Sequence, residues 1–394
     1  MRKVTMIGCD LHDRTMLLQT AVGKEKPEQR SFPNDFFGRK AMIGYLFGRA
    51  RESGSGRIVF VYEASGQGYG LYDLLTIEGI ECFVLSPTHI PRSAKSKRQK
   101  TDSKDALKLL ELARGHILAG NELPVVWTPP QLLRDDRELV RGRLEAAEAC
   151  TRVKLKILSL LKRHGMELPQ WFSKSRSWTK RFVQWLKGEA ERMAATVTPI
   201  LLSLIERFET LRRQMVALER HIRHLCKTPR YKVPCEKLRE LMGVGLITAM
   251  TFLTEMGDLT RFSNRRQVAA YLGLCPSSFE SGEADDRKGH ITRQGPGRVR
   301  KVLCQAAWAA IRTDPQTRKV WKRIKRGSSR RGKKAVVAIM RRLGIHMWHV
   351  ALSAGVDSKL EQPPTPPPRW TSARAQQKGT APFTSPSPRP QARG

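Results

Sequence analysis

The sequence predicts an α/β domain over residues 1–118, a long-helix region over 131–230 and a mainly helical domain over 236–356. Three observations predict this. Short β-branched runs alternate with helical patterns before residue 118. From residue 131 onward the apolar spacing is helical almost throughout. After Asp357 prolines crowd in and apolar residues thin out, which predicts a disordered basic tail over 357–394.

Residues 4–10 (VTMIGCD) read as a buried strand and 15–22 (TMLLQTAV) as a second, with a turn at 11–14. The pair suggests a hairpin. Residues 35–51 carry a mixed helical pattern with Phe36, Phe37, Ile43, Leu46 and Phe47. Residues 57–63 (RIVFVYE) predict a central strand, 69–78 a helix and 81–86 another strand. A helix follows over Asp102–Arg114, where Leu107, Leu109, Leu110, Leu112 and Ala113 give a wide apolar face.

In the second region Gln131–His164 is one long amphipathic stretch. Leu204, Phe208, Leu211, Met215, Leu218, Ile222 and Leu225 then step alternately by four and three. That heptad seam predicts coiled-coil packing over 197–226, within the chain or between subunits. Trp178, Phe182 and Trp185 share a helical face among basic residues, a pattern of core packing more than of stacking on nucleotides.

The third region places Gly243 and Gly245 between two helical patterns. This is a helix-hairpin-helix-like arrangement whose glycines let backbone N–H groups approach a phosphate, or an ordinary αα turn with a glycine C-cap. Pro276–Gly297 reads as a long polar loop between helices at 265–272 and 298–311.

Charge narrows the partner. The chain has 394 residues, with 72 Lys and Arg against 36 Asp and Glu, giving a net charge of +36. An excess of this size repels itself and calls for a polyanion. Residues 315–356 hold no acid and twelve Lys and Arg. No run approaches the ~18 apolar residues of a membrane span, and the N-terminus has no secretory pattern. Seven cysteines without C-x-x-C spacing argue against a disulfide scaffold and a zinc site. The expectation is a soluble intracellular protein that works on nucleic acid, with no membrane partner.

Four carboxylates suit catalysis. Asp10 and Glu63 each end a buried strand, where an unpaired charge is costly. Asp102 and Asp105 lie three apart on the first turn of a helix and share a face. Together they could hold one or two Mg²⁺ or Mn²⁺ ions, which take hard oxygen ligands. Two such ions about 3.5–4 Å apart would serve phosphodiester chemistry. Alternatively, Asp102 serves the helix dipole and Asp105 pairs with a lysine. Asp13 reads as a solvent-exposed acid outside the four.

The segments GCDLHDRT, VYEASG and KTDSKDALKL, in that order, resemble the DEDD transposases of insertion-sequence family one-ten. The resemblance implies an RNase H-like, RuvC-like N-terminal domain in which Asp10, Glu63, Asp102 and Asp105 bind metal. LGLCPSSFESG with KGHITRQGPGRVRKVL is similar to the family's C-terminal domain and puts its catalytic serine at Ser281. The family's activity would be cutting and rejoining DNA, with target choice taken from a bridge RNA and with subunits of a homo-oligomer, a dimer or tetramer, sharing sites. Localisation would be the bacterial cytoplasm, at the nucleoid. Candidate nucleic-acid contacts are Lys100, Gly243 and Gly245, together with Arg293, Arg298, Arg300 and Lys301. A site-specific invertase, a RuvC-like junction nuclease using the acids alone and a non-catalytic nucleic-acid-binding protein remain as alternatives.

Overall fold

The structure is a computed structural model that describes residues 3–90, 101–172, 178–279 and 287–355. The chain divides into two compact units, the first through Thr128 and the second from Pro129.

The first unit is built on a five-stranded mixed sheet of order β3-β2-β1-β4-β5. β1 (Val4–Leu11), β2 (Thr15–Val22) and β3 (Glu28–Pro33) form an antiparallel meander. β4 (Arg57–Glu63) and β5 (Glu81–Leu85) extend it as parallel strands. α1 (Phe36–Glu52) and α2 (Gly70–Ile77) are the crossovers, and α3 (Asp102–Ala119) follows β5. The strands agree with the sequence pattern except β3, which the sequence does not reveal. Its residues EQRSFP are mostly exposed, so an edge strand with polar side chains carries no apolar alternation.

Strand parity sorts the core into two layers. Ile7, Cys9 and Leu11 of β1, with Ile58, Phe60 and Tyr62 of β4, pack with Met42, Ile43 and Leu46 of α1. Met6 of β1, with Val59 and Val61 of β4, packs with Leu109, Leu110 and Ala113 of α3. α3 runs beyond the expected Arg114 and ends at Gly120, whose left-handed backbone (φ 74°) closes the helix. Leu107, expected on its apolar face, is exposed.

Among the described residues the second unit is helical apart from one hairpin. α4 (Gln131–Arg163) and α6 (Thr198–Cys226) are its two long helices, with α5 (Lys180–Glu191) between them in sequence. The heptad seam of α6 packs against α4 of the same chain. Seam residues Leu204, Phe208, Leu211 and Met215 belong to a core with Val153 and Ile157 of α4 and Phe182 and Leu186 of α5. Trp178 and Trp185 pack there too, 5.2 and 5.4 Å from Phe182, which supports the packing reading of the aromatic face. Between Gly142, Ala146 and Ala149 on α4 and Leu211 and Leu218 on α6 lies an open cleft of about 590 Å³.

The other core of this unit joins Val140 of α4 and Ile222 of α6 to α7 (Lys232–Arg239), α8 (Leu246–Met256), α9 (Arg265–Tyr271), α10 (Gly297–Thr313) and α12 (Gly332–Ser353). α11 (Pro315–Lys325) is capped by Asp314, which accepts from the N–H groups of Gln316 and Thr317, and it buries no residue fully. The stretch Ser329–Ser353 is apolar enough to cross a membrane by composition, yet 44% of its best window is buried. Val336, Ile339, Met340, Met347 and Trp348 lie in the core, so α12 is a core helix.

A buried polar network fastens α4 to the C-terminal part. Arg137 donates to the carbonyls of Thr254 (2.6 Å) and Glu255 (3.0 Å) at the end of α8. Asp136 accepts from the Tyr231 hydroxyl (2.7 Å) and pairs with Arg230 (3.1 Å). Burial pushes the Asp136 carboxyl up, against the opposing effects of the Tyr231 hydrogen bond and Arg230.

The expected loop 276–297 is partly a β-hairpin, with β6 (Pro276–Phe279) antiparallel to β7 (Arg287–Ile291). Strands of four and five residues with Ser, Lys and Gly among them show no period-2 pattern.

Candidate active site

The carboxylate edge is assembled by register. β1 and β4 are parallel neighbours with Cys9 opposite Tyr62, so Asp10 and Glu63 come next to each other at the same end. Cys9 and Tyr62 enter the α1 layer. By alternation Asp10 and Glu63 belong to the α3 face.

Gly8 fixes α3 on that face. A Cβ at Gly8 would sit 2.2 Å from the Ala106 carbonyl oxygen and 2.2 Å from the Leu110 nitrogen, so helix backbone lies directly on strand backbone. Two residues along β1 from Gly8 is Asp10, and one helical turn back from Ala106 is Asp102. These steps are of similar length, roughly 6–7 Å and 6 Å. The contact therefore brings the first turn of α3, with Asp102 and Asp105, to the end of the sheet that holds Asp10.

The residue found at the centre is His12, which the sequence reading did not select. Its Nε2 is 3.2 Å from Asp10 Oδ2 and 3.4 Å from Asp102 Oδ2. Asp10, His12 and Asp102 each bring a ligand atom within 4.8 Å of the others. The available signal was the spacing: residues i and i+2 at a strand end share a face. Burial raises the Asp10 carboxyl above its ordinary value; His12 opposes this, and the charges of Asp102 and Asp105 reinforce it. Two oxygen donors and one imidazole nitrogen, crowded by further carboxylates, fit a divalent cation. Asp13 is exposed, as expected.

The candidates in the second unit are placed differently. Gly243 has φ 85°, and a Cβ there would lie 2.3 Å from the Ala306 carbonyl of α10. Its need for glycine is met by helix packing, which favours the αα-turn reading. Gly245 precedes α8 as its exposed N-cap, with open space around it. Arg298 pairs with Glu145 at 2.7 Å and Lys301 with Glu148, both partners on α4. Arg300 donates to the carbonyls of Leu272, Gln294 and Gly295 at 3.1–3.2 Å, and burial lowers its pKa, with Arg293 adding to the effect. Arg293 is exposed, with a left-handed φ of 55°. Ser277 donates from Oγ to the His290 carbonyl at 3.0 Å. Ser281 and Lys100 lie outside the described residues. The seven cysteines are free.

A sheet edge lined with acids, in a chain of net charge +36, points to phosphodiester-processing enzymes as the class to compare. Residues 7–166 match the DEDD transposase pattern of the IS110 type, and residues 235–322 match the transposase family IS116/IS110/IS902. The candidate transposase y4qE of Sinorhizobium fredii is 34% identical over 75% of this chain and 76% of its own length. The transposase for insertion sequence element IS1533 of Leptospira borgpetersenii is 26% identical over 78% of this chain and 86% of its own. The chain belongs to the IS110 family of transposases, enzymes that cut and rejoin DNA. A mixed α/β unit with a central sheet is consistent with the RNase H-like domain of DEDD transposases, and the family implies use of a divalent metal.

Proposed function

We propose that this transposase cuts DNA at the carboxylate edge of the first unit and preserves the broken bond on Ser281. The carrying observation is the crowding at Asp10: a half-buried carboxylate, raised by burial and by two neighbouring acids, in contact with His12. A cation beside such a group would favour its charged form. Asp10, Glu63, Asp102 and Asp105 would hold the metal, Mg²⁺ or Mn²⁺, with His12 as a fifth donor. When bound, the metal supplies positive charge to the scissile phosphate.

The chain's own residues do the rest. The Ser281 oxygen attacks phosphorus and gives up its proton to a base, and the bond from phosphorus to the leaving DNA oxygen breaks. The phosphoserine formed keeps one ester bond for each bond broken. Attack by the hydroxyl of a second DNA end returns the serine and seals the new strand. Ser277 supports the choice of Ser281, because its hydroxyl is already engaged across the hairpin.

The basic surface of the second unit takes up the polyanions. Among the described residues, 315–355 hold no acid, and α11 exposes Lys319, Lys322 and Arg323. Beyond DNA we place a bridge RNA on the charged surfaces and a homo-oligomer around the α4–α6 pair; action is at the bacterial nucleoid. The regions 1–118, 131–230 and 236–356 would act as catalytic, spacing and transposase domains, and 357–394 as a tail.

The test is Ser281→Ala beside Ser277→Ala and Ser278→Ala, on DNA carrying the element's ends. Ser281→Ala retains folding and DNA binding, loses strand exchange and forms no covalent protein–DNA adduct, whereas the other two form it. Normal exchange by Ser281→Ala leaves a nuclease that uses the acids alone.

A further inference from the structure

Two phenylalanines in the first unit, Phe36 and Phe37, have no partner layer among the described residues. Phe36 and Phe37 open α1 with 75% and 78% of their surface exposed, the largest exposures of any aromatic side chain among the described residues. Their rings meet edge to face, with centroids 5.5 Å apart and planes at 81°. The buried stripe of α1, Met42, Ile43, Leu46 and Ala50, lies deeper along the helix and does not reach them.

The pair stands on a rigid base. Asn34 donates from Nδ2 to the His12 carbonyl (2.7 Å) and to Gln67 Oε1 (2.8 Å). It accepts from Arg39 Nε (2.9 Å), and its backbone N–H donates to the Arg14 carbonyl (2.9 Å). One side chain thus ties together the segments that follow β1, β3 and β4. Asp35 caps α1 by accepting from the Gly38 nitrogen at 2.7 Å. A Cβ at Gly38 would fall 2.1 Å from the Pro33 carbonyl, so the first turn of α1 is pressed onto the end of β3.

Position follows from chain reach. Asp10 is two residues from His12 and Phe36 is two residues from Asn34, and Asn34 touches the His12 carbonyl. At ~3.6 Å per residue, Phe36 lies no more than about 20 Å from Asp10, within a few nucleotides of a strand held at the acids. Lys40 is exposed one helical turn on from the pair, Arg39 is half-buried, and Arg14, whose carbonyl accepts from the Asn34 N–H, is exposed. Aromatic faces flanked by cations suit a nucleobase together with its phosphates.

We infer that Phe36 and Phe37 form a binding site for an unstacked nucleobase of the DNA strand next to the cut. The inference rests on the reading of Asp10 as part of the cutting site. An apolar wedge that enters a base step unstacks it and kinks the duplex, which would present the scissile phosphate to the acids. A rigid base makes the wedge effective, because ring position is set before DNA arrives.

The experiment uses the full chain and a duplex carrying the element's end, with 2-aminopurine placed in turn at each position around the cut. In the Asp10→Ala background, binding raises 2-aminopurine fluorescence at one or two positions beside the cut. Adding Phe36→Ala and Phe37→Ala abolishes that rise, leaves the salt dependence of binding unchanged and leaves the melting temperature unchanged. With Asp10 intact, the double alanine variant slows strand exchange about 10- to 100-fold, and Phe36→Trp with Phe37→Trp restores it. Ile77→Ala, at another exposed apolar side chain (81%), changes none of these. A fluorescence rise that persists without both phenylalanines overturns the proposal. So does a variant whose oligomeric state changes while the fluorescence does not, since the pair would then be a subunit contact. Strand cleavage by Asp10→Ala would instead remove the reading of the cutting site, and the fluorescence comparison would still stand.

Discussion

One place in each unit shows charge handled in opposite ways. In the first, acids are driven together: Asp10 and Asp102 share His12 at 3.2 and 3.4 Å, and Asp105 adds to the crowding. In the second, opposite charges are matched: Arg298 and Lys301 meet Glu145 and Glu148, and Arg141 meets Glu255 at 2.7 Å. Matched pairs need no ligand, and the exposed ones, Arg298 with Glu145 and Lys301 with Glu148, contribute little. A crowd of like charges on a sheet edge is held against its own repulsion by the fold, so it asks for something from outside. On the proposed reading the crowded edge would hold the metal, while these matched pairs join helices.

The strongest way to break this contrast is to empty the crowded edge. Asp10→Ala is expected to reduce strand exchange by about 10³-fold or more, the scale of losing a preorganised electrostatic partner. Arg298→Ala should leave single-turnover exchange within about 3-fold once DNA is saturating, because an exposed pair of this kind is worth under ~1 kcal/mol. Equal losses in the two would erase the distinction.

Next in size is the contact that places α3. Gly8→Ala should destabilise the first unit by about 3 kcal/mol, since the new methyl group has only backbone to displace. Urea unfolding followed by circular dichroism reads it. Gly243→Ala should cost a similar amount in the second unit, where the obstacle is the Ala306 carbonyl. Its refolded fraction should bind DNA with ordinary affinity; selective loss of DNA affinity would restore the phosphate-binding reading of that turn.

His12→Ala sharpens the comparison further. Removing a donor from the acid cluster should weaken Mn²⁺ binding by about 10- to 100-fold, as loss of a group that orients metal ligands does. Titration calorimetry on the full chain measures it without any turnover. Binding unchanged from the parent would limit His12 to a spectator.

The smallest effect concerns Asp136. Its carboxyl is raised above the ordinary 3.8 by burial. The folded form therefore binds more protons in the window just above that value, and stability falls as pH rises through it. Asp136→Asn should remove this slope while retaining the neighbouring hydroxyl of Tyr231 as a donor. Denaturation at several pH values, taken as parent minus variant, should show a difference that grows from pH about 4 upward and then levels.

Much of this layout is written in the sequence, and the omissions have physical causes. β1, β2 and β4 bury nearly every residue, so their runs and the acids that end them stand out. β3 buries no residue fully and leaves no such trace. The four acids stood out as candidates because each sits at or near the end of an element, and two of them, Asp10 and Asp102, come together at His12. His12 did not, because a histidine in a turn looks like any polar turn residue until the strand end aligns it with Asp10. The fate of Arg298 and Lys301 was equally hidden: three residues apart on α10, they meet Glu145 and Glu148, three apart on α4, across 153 positions. Spacing on one helix says nothing about a matching spacing on another.

The bare contact at Gly8 has a consequence for how such an enzyme tolerates change. The helix that bears Asp102 is seated on peptide groups, with no side chain in between. Its height above the sheet is thus insulated from drift in the surrounding apolar layer. Leu109, Leu110 and Val59 can exchange for other aliphatic residues over generations, and the layer will soften or tighten, while the gap between the acids stays set by two backbones in touch. Under the proposed metal site, substitutions in that apolar layer would leave the spacing of the acids unchanged.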